Sequence, residues 1–190
     1  LDNSKAQVGD ALILTKKIGA GIIATGVKAG KCSDSVIEEF TTSMAALNKR
    51  ASEIMLEIGV STATDITGFG LIGHLHEVLT ASKCRAQIYS GRVPYFEDAI
   101  KLADAGIVPG GTRTNVRDYE SYVTCVKGVP EVEKILMNDA QTSGGLLIFV
   151  PGDRKDKLVT ALQKEGILAA HIGDVSEKGE NDNRQISVNK

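Results

Sequence analysis

The segment 63–75 combines residue types that bind phosphate and a divalent cation. Asp65 and Thr67 precede a group of glycines that includes Gly68 and Gly70, and the apolar residues that follow recur at helical spacing. Glycine lets a backbone come close to a ligand, and the free N–H groups at a helix N-terminus attract phosphate. A carboxylate such as that of Asp65 is a ligand that Mg²⁺ prefers when the ion also binds phosphates. An alternative stays open, in which Asp65 or Thr67 only caps the helix and the glycines only allow tight packing.

Four runs along the chain carry this and related patterns: LTKKIGAG at 14–21, TDITGFGLIGHL at 64–75, PGGT at 109–112 followed by Asn115, and DAQTSGGLL at 139–147. The last three resemble, in the same order, motifs of the selenophosphate synthetases, whose signature reads TD-[VI]-TGFG-L-x-GHL. The first resembles the LTKPLGTG of that family, with Lys17 in place of proline and Ala20 in place of threonine. The resemblance extends over nearly the whole chain, but it corresponds only to the C-terminal half of the family.

The resemblance implies a phosphoryl-transfer activity for the complete protein. Selenophosphate synthetases make selenophosphate, AMP and phosphate from ATP, selenide and water, and they require Mg²⁺. Such chemistry depends mainly on positioning and on charge neutralisation. In this chain the resemblance implies that Asp65 is one metal ligand. It also implies that the wall facing the phosphates is formed by Thr64, Thr67, Gly68 and Gly70.

The resemblance assigns no catalytic residue to this chain. In the family the catalytic cysteine or selenocysteine, a nearby lysine and most of the magnesium-binding aspartates belong to an N-terminal domain. Because the sequence begins at Leu1 rather than Met, we expect residues 1–190 to be a single C-terminal domain. We therefore expect the ATP-binding domain to be absent and the chain to be inactive alone. The full enzyme is expected to be a homodimer, and this chain, which lacks most of that interface, a monomer.

Two other interpretations stay open. In the first, the chain is a binding or assembly module that uses the same domain without phosphoryl transfer. In the second, it belongs to another member of the aminoimidazole-ribonucleotide-synthetase-like superfamily, such as a thiamine-monophosphate kinase or a hydrogenase-maturation protein. The TGFG run at 67–70 and the Gly-His pair at 73–74 favour the selenium enzyme.

Further polar residues in the motifs have both a functional and a structural interpretation. His74 follows the glycines and titrates near neutral pH, but its place one turn into the helix favours packing or capping. Asp139, Thr142 and Ser143 either line a cleft or belong to a structural loop. The same choice applies to the 109–112 segment, which is predicted to be a loop. Asn48 is interpreted as a structural hydrogen-bonding residue.

Composition excludes several classes of protein. The 190 residues suit one domain, and 22 basic against 24 acidic side chains leave no block of charge suited to nucleic acid or an anionic membrane. No apolar run approaches the roughly 18 residues of a membrane span. The three cysteines, Cys32, Cys84 and Cys125, are far apart and include no CxxC pair. This spacing argues against a disulfide framework or a zinc site and indicates a reducing cytoplasm.

The apolar pattern also predicts the elements that hold these motifs. Strands are predicted at 10–15, 85–89, 119–126, 146–150, 167–175 and 185–188. Helices are predicted at 22–29, 35–58, 70–82, 95–105, 131–137 and 153–165, the second of them opening on a capping box at 35–38. The glycine pair at 19 and 21 is more typical of a strand-to-helix turn than of a phosphate site, and 177–183 is predicted to be a polar turn.

Strands separated by helices, with both short joins and longer crossovers, indicate an α+β fold in which helices cover a sheet. The resemblance specifies a mixed or antiparallel sheet of four to six strands, as in C-terminal domains of the aminoimidazole-ribonucleotide-synthetase-like superfamily.

Overall fold

A computed structural model describes residues 2–177 and 184–190. Within these ranges the chain forms seven strands: β1 Asp10–Leu14, β2 Thr62–Asp65, β3 Arg85–Tyr89, β4 Val123–Cys125, β5 Leu146–Pro151, β6 Ala170–Ser176 and β7 Ile186–Asn189. It also forms eight α-helices: α1 Ala20–Lys28, α2 Asp34–Ala45, α3 Lys49–Ile58, α4 Gly70–Ser82, α5 Glu97–Asp104, α6 Gly110–Tyr119, α7 Glu131–Met137 and α8 Lys155–Lys164.

All seven strands form one mixed sheet in the order β2-β5-β1-β6-β3-β7-β4. The pairs from β2 through β3 are antiparallel, whereas β7 pairs in parallel with both β3 and β4. This arrangement confirms the predicted α+β class. It contains one strand more than expected, because β2 lies at the edge of the sheet and has too little apolar character to be predicted from its sequence.

The core forms on both faces of the central strand β1, whose five residues are all buried. Successive side chains of a strand point to opposite faces. Leu12 and Leu14 accordingly join the cluster that includes the apolar residues of α4, and Ala11 and Ile13 join the cluster under α3 and α8. A third cluster lies among α1, α2, α5 and α7. The helix α4, which carries the TGFG motif at its start, is therefore fixed directly on the sheet.

The single helix predicted over 35–58 is wrong, because α2 and α3 are separate helices. Ala46 between them is extended (φ −65°, ψ 122°). The Lys16 ammonium donates to the carbonyls of Ser43 (3.0 Å) and Ala46 (2.7 Å), and Asn48 Nδ2 donates to the carbonyl of Gly144 (2.9 Å). These contacts with distant parts of the chain compensate for the helical hydrogen bonds lost at the break.

Several other element boundaries differ from prediction. The helix α2 begins at Asp34 after Ser33, which makes no side-chain cap hydrogen bond; Ser35 lies inside the helix, so the capping box at 35–38 is not formed. The predicted loop at 109–112 is wrong, because α6 begins at Gly110 after an extended Pro109. The strand predicted at 119–126 is reduced to β4, and a short 3₁₀ turn precedes α8. Apart from Glu177, the predicted polar turn at 177–183 lies outside the described residues.

No helix in the two described ranges is long and apolar enough to cross a membrane. Cys32, Cys84 and Cys125 are all free thiols.

Candidate functional site

The sequence motifs meet around the segment 138–145, hereafter the Asp139 loop, which connects α7 to β5. It lies against the segment 66–70, hereafter the Gly68 turn, which connects β2 to α4. Two backbone hydrogen bonds join them, from the N–H of Gln141 to the carbonyl of Thr67 (2.9 Å) and from the N–H of Ile66 to the carbonyl of Gly145 (2.9 Å). The two motifs that are 74 residues apart in sequence are thus neighbours in space.

The third motif, at the start of α6, holds these two segments together through side chains. Asn115 is buried, and its Nδ2 donates to the carbonyls of Gly68 (2.9 Å) and Asn138 (3.0 Å). Thr112 is also buried, and its hydroxyl donates to Asp139 Oδ1 (2.6 Å). The PGGT segment is therefore the start of helix α6, which connects the Gly68 turn to the Asp139 loop, and it is not a flexible loop.

The glycine pair of the first motif lies in a turn whose backbone N–H groups are bonded by side chains of the same chain. The consecutive backbone N–H groups of residues 19–22, hereafter the Gly19 turn, donate in pairs to two side chains of the Asp139 loop. The first pair reaches Gln141 Oε1 (3.2 and 3.1 Å), and the second reaches Asp139 Oδ2 (2.8 and 3.2 Å). The N-terminus of α1 therefore has an internal carboxylate where a bound phosphate would lie, which supports the strand-to-helix interpretation of this glycine pair.

Asp139 is completely buried and does not line a cleft. Burial raises the pKa of its carboxyl above the ordinary value, although the hydrogen bonds from Thr112, the Gly19 turn and Gln141 oppose this shift. Ser143, by contrast, is exposed, has a positive φ of 54°, and donates to the carbonyl of Met44 (2.7 Å). Thr142 is exposed as well. The Asp139 loop is thus mainly a structural connector.

The Gly68 turn, in contrast, is exposed to solvent at Gly68 and Phe69. Asp65 ends the edge strand β2 with an exposed side chain, and Thr64 beside it is partly buried. Gly68 is exposed, and no heavy atom lies within 4 Å of the position that a Cβ would occupy. Phe69 next to it remains 49% exposed. The exposed carboxylate and the exposed glycine lie three residues apart.

Gly70 has a different role from Gly68. It is buried and has a φ of +69°, which side chains rarely allow. A Cβ at this position would lie 2.7 Å from the carbonyl carbon of Asn138. Gly70 is therefore required by its backbone conformation and by contact with the Asp139 loop, and its α-carbon is not available for contact with a ligand.

His74 connects the Gly68 turn to the helix that follows it. The ring is buried, with Nε2 at 3.0 Å from the hydroxyl of Thr67 and Nδ1 at 3.2 Å from a carboxylate oxygen of Glu77. Both ring nitrogens have partners within the protein. The geometry favours the packing interpretation of His74 and explains how Thr67 is oriented: its hydroxyl bonds to His74 and does not cap α4.

The residues predicted to bind phosphate and metal all lie on one continuous segment from β2 to the start of α4. Within the described ranges, no group of three or more histidine, cysteine or acidic side chains is arranged to hold a metal ion. Asp65 can supply one oxygen ligand to a cation.

Analysis of the sequence did not identify Lys16 as part of this assembly. Its ammonium donates to the carbonyl of Ser143 (2.9 Å) in addition to the two carbonyls at the end of α2, and burial lowers its pKa. Lys16 thereby ties the Asp139 loop to the break between α2 and α3. Its presence in the LTKKIGAG run was the available signal, but its partners are distant in sequence.

The chain is similar to known proteins over most of its length. Residues 7–183 match the model of the family described as AIR synthase related protein, C-terminal domain. A selenide, water dikinase of Carboxydothermus hydrogenoformans is 41% identical over 174 residues, which are 92% of this chain and 50% of that protein. One from Caldanaerobacter subterraneus subsp. tengcongensis is 44% identical, with coverage of 96% and 53%. The chain spans about half the length of the curated relatives it matches.

Solved structures show the same fold at much lower identity. The thiamine-monophosphate kinase of Stenotrophomonas maltophilia K279a has a TM-score of 0.69 at 14% identity, covering 100% of this chain and 52% of that one. The hydrogenase maturation protein HypE of E. coli has a TM-score of 0.69 at 17% identity, covering 98% and 48%. At these identities the likeness concerns the fold alone.

Proposed function

Because this chain belongs to the family of AIR synthase related C-terminal domains, we propose that it is the C-terminal half of a selenophosphate synthetase. The complete enzyme would convert ATP, selenide and water to selenophosphate, AMP and phosphate. This half would act together with an N-terminal ATP-binding domain, in a homodimer, and would be inactive alone. The observation that carries the proposal is the exposed pair of Asp65 and Gly68 within a TDITGFGLIGHL motif, in a chain about 40% identical to selenide, water dikinases.

Asp65 fits the role of a single Mg²⁺ ligand. Its carboxylate is exposed at the end of an edge strand, and a bound Mg²⁺ is usually held by one or two carboxylates together with substrate phosphates. When bound, the ion would neutralise charge on the phosphates. The other carboxylate ligands would come from the N-terminal domain.

The Gly68 turn would form the wall facing the phosphates. Gly68 offers exposed backbone with no obstructing side chain, while Asn115 and the Asp139 loop hold that backbone in place. A backbone fixed before the substrate arrives needs no reorganisation during phosphoryl transfer. Thr64 precedes the turn and Thr67 lies within it, where its hydroxyl is oriented by His74. Gly70 would contribute by shaping the turn.

A chimeric enzyme tests the proposal directly. The C-terminal half of the Carboxydothermus relative is replaced by this chain, and selenide-dependent formation of AMP from ATP is measured. We expect the chimera to be active and the 190-residue chain to be inactive alone. Asp65→Asn removes the charge of one metal ligand at nearly constant size, and we expect it to lower turnover by about a hundredfold or more.

The matched control is Asp104→Asn, since Asp104 is also an exposed aspartate but lies at the end of α5. It is expected to leave turnover unchanged. An active chimera in which Asp65→Asn has no greater effect than Asp104→Asn would exclude the metal-binding role. A folded, ATP-binding chimera without selenide-dependent turnover would favour a non-catalytic module.

A further inference from the structure

Thr67, His74 and Glu77 place a hydroxyl, an imidazole and a carboxylate in a row beside the Gly68 turn. The Thr67 hydroxyl is 3.0 Å from His74 Nε2, and a carboxylate oxygen of Glu77 is 3.2 Å from His74 Nδ1. The imidazole is buried, and the ring of Phe69 lies beside it with the centroids 5.6 Å apart. Each nitrogen of the ring therefore has one defined neighbour.

The carboxylate of Glu77 determines which nitrogen of His74 carries the proton. An ionised carboxylate only accepts hydrogen bonds, so an unprotonated Nδ1 at 3.2 Å would set two lone pairs against each other. The neutral ring of His74 is therefore protonated on Nδ1, and its Nε2 is an acceptor. The neighbour of Nε2 is the hydroxyl of Thr67, which consequently donates its proton to His74.

This direction of the hydrogen bond decides what the Thr67 hydroxyl can offer to a ligand. A hydroxyl has one proton and two lone pairs, and the proton of Thr67 is used on His74. Thr67 Oγ1 is therefore only an acceptor toward any other group. Phosphate oxygens are acceptors as well, so direct contact between them and Thr67 Oγ1 would be repulsive. The groups that suit Thr67 Oγ1 are donors, such as the waters that a bound Mg²⁺ usually keeps.

We propose that Thr67 Oγ1 accepts a hydrogen bond from a water in the hydration shell of a Mg²⁺ bound at Asp65, and that His74 and Glu77 are positioning residues that fix this polarity. This role rests on the proposed function, because it requires Asp65 to be a metal ligand. Thr67 follows Asp65 by two residues and is half-buried. Thr67 would reach the phosphates through water, and direct contact would be left to the backbone of the Gly68 turn.

The position of the proton on His74 can be measured in the 190-residue chain itself. Long-range proton–nitrogen correlation spectra at about pH 8, where an imidazole is neutral, show which nitrogen of each ring is protonated. We expect Nδ1 to be protonated in His74. His171 is the internal reference, because its Nε2 lies 2.9 Å from a carboxylate oxygen of Asp174. The same reasoning therefore predicts the opposite tautomer for His171.

Glu77→Gln removes the charge that selects Nδ1 at nearly constant size. We expect a larger share of His74 to be protonated on Nε2 in this variant, and the spectrum of His171 to be unchanged. Protonation of His74 on Nε2 in the unmodified chain would overturn the proposal, since Thr67 would then keep its proton for a phosphate oxygen.

The affinity for Mn²⁺ tests the contact between Thr67 and the hydrated ion. Free Mn²⁺ is followed by electron paramagnetic resonance in the chimeric enzyme, with a non-hydrolysable ATP analogue present. Thr67→Val removes the hydroxyl at nearly constant shape and is expected to weaken Mn²⁺ binding about tenfold, whereas Thr67→Ser keeps the hydroxyl and should stay within about twofold. Thr160→Val, at an exposed position of α8, is the control and should change nothing. If Thr67→Val does not fold, Glu77→Gln is expected to weaken Mn²⁺ binding several-fold.

Two results separate a failure of this proposal from a failure of the proposed function. If Asp65→Asn weakens Mn²⁺ binding but Thr67→Val does not, Asp65 remains a metal ligand and the water contact of Thr67 is overturned. If neither variant changes the affinity for Mn²⁺, the metal-binding role of Asp65 and the water contact are both rejected. The tautomer of His74 is decided by the spectra in either case.

Discussion

The Gly19 turn and the Gly68 turn have similar sequences but opposite environments. Each consists of glycines between a strand and a helix and reads as a candidate phosphate site. In the Gly19 turn the backbone N–H groups are occupied by Asp139 and Gln141. In the Gly68 turn, Gly68 is exposed, as is the side chain of Asp65 three residues before it. A glycine pair before a helix therefore does not by itself identify a ligand site.

The difference arises from one loop that contacts both turns. The Asp139 loop directs its carboxylate and amide side chains at the Gly19 turn, but it offers only backbone groups to the Gly68 turn. Side chains of the Asp139 loop thus accept hydrogen bonds from the N–H groups of the Gly19 turn, whereas the loop only supports the backbone of the Gly68 turn. The same loop therefore occupies the N–H groups of the Gly19 turn and leaves Gly68 exposed.

Removing the carboxylate of Asp139 has the largest expected effect on this contrast. Asp139→Ala leaves the N–H groups of Gly21 and Ile22 and the hydroxyl of Thr112 without their acceptor in a buried place. We expect the free energy of unfolding to fall by about 3 kcal/mol or more, measured by urea denaturation.

The control for this measurement is the same substitution directly before the Gly68 turn. Asp65→Ala removes an exposed carboxylate, so we expect the free energy of unfolding to change by no more than about 0.5 kcal/mol. An equal decrease in the free energy of unfolding for Asp139→Ala and Asp65→Ala would contradict the assignment of Asp139, but not Asp65, to a buried hydrogen-bonded position.

A pair of glycine substitutions within the open turn has the next largest effect. Gly70→Ala forces a side chain into positive φ and against the backbone of Asn138, so we expect a loss of about 2 kcal/mol in the free energy of unfolding. Gly68→Ala meets open space, and its effect is expected to stay below about 1 kcal/mol. The same urea titrations measure both.

The functional outcome of this pair is expected to be different. In the chimeric enzyme Gly68→Ala should slow AMP formation about tenfold, equal to about 1.4 kcal/mol, since it places a methyl group on the wall that we propose faces the phosphates. A Gly68→Ala chimera with full activity would argue against contact between this residue and the substrate.

Local patterns in the sequence predicted much of the fold. The strand at 85–89 and the helix at 131–137 have the predicted bounds, because an apolar strand pattern and a proline before a helix are local signals. The edge strand β2 was missed because Thr62–Asp65 includes only one apolar residue. The break between α2 and α3 was missed because it depends on Lys16, which lies about 30 residues away in sequence.

The candidate site shows the same limit. The segment that carries Asp65 and Gly68 could be predicted from residue types and from its motif. The hydrogen bond from Gly21 to Asp139 spans 118 residues, and no local pattern reports it. Sequence analysis therefore left the role of Asp139 undecided. The fold was needed to show that the N–H groups of the Gly19 turn are bonded within the chain, whereas Gly68 is exposed.

The smallest expected effect concerns pH and the helix that follows the Gly68 turn. The helix α4 that follows the open turn carries His76, whose ring stacks on Tyr122 with centroids 4.0 Å apart. Burial lowers the pKa of His76 below its ordinary value of 6.5. The unfolded chain therefore binds more protons than the folded one as pH falls below about 6.5, so the free energy of unfolding decreases there.

His76→Phe keeps an aromatic ring at this position and removes the titration. We expect the free energy of unfolding to decrease less between pH 7.5 and pH 5 in this variant than in the unmodified chain. Because His76 is only partly buried, the difference should be smaller than the effect of Gly70→Ala. His171→Gln, on the sheet and away from both turns, is the control and should retain the component due to His76. An identical pH dependence in His76→Phe and the unmodified chain would mean that acid acts elsewhere than at His76.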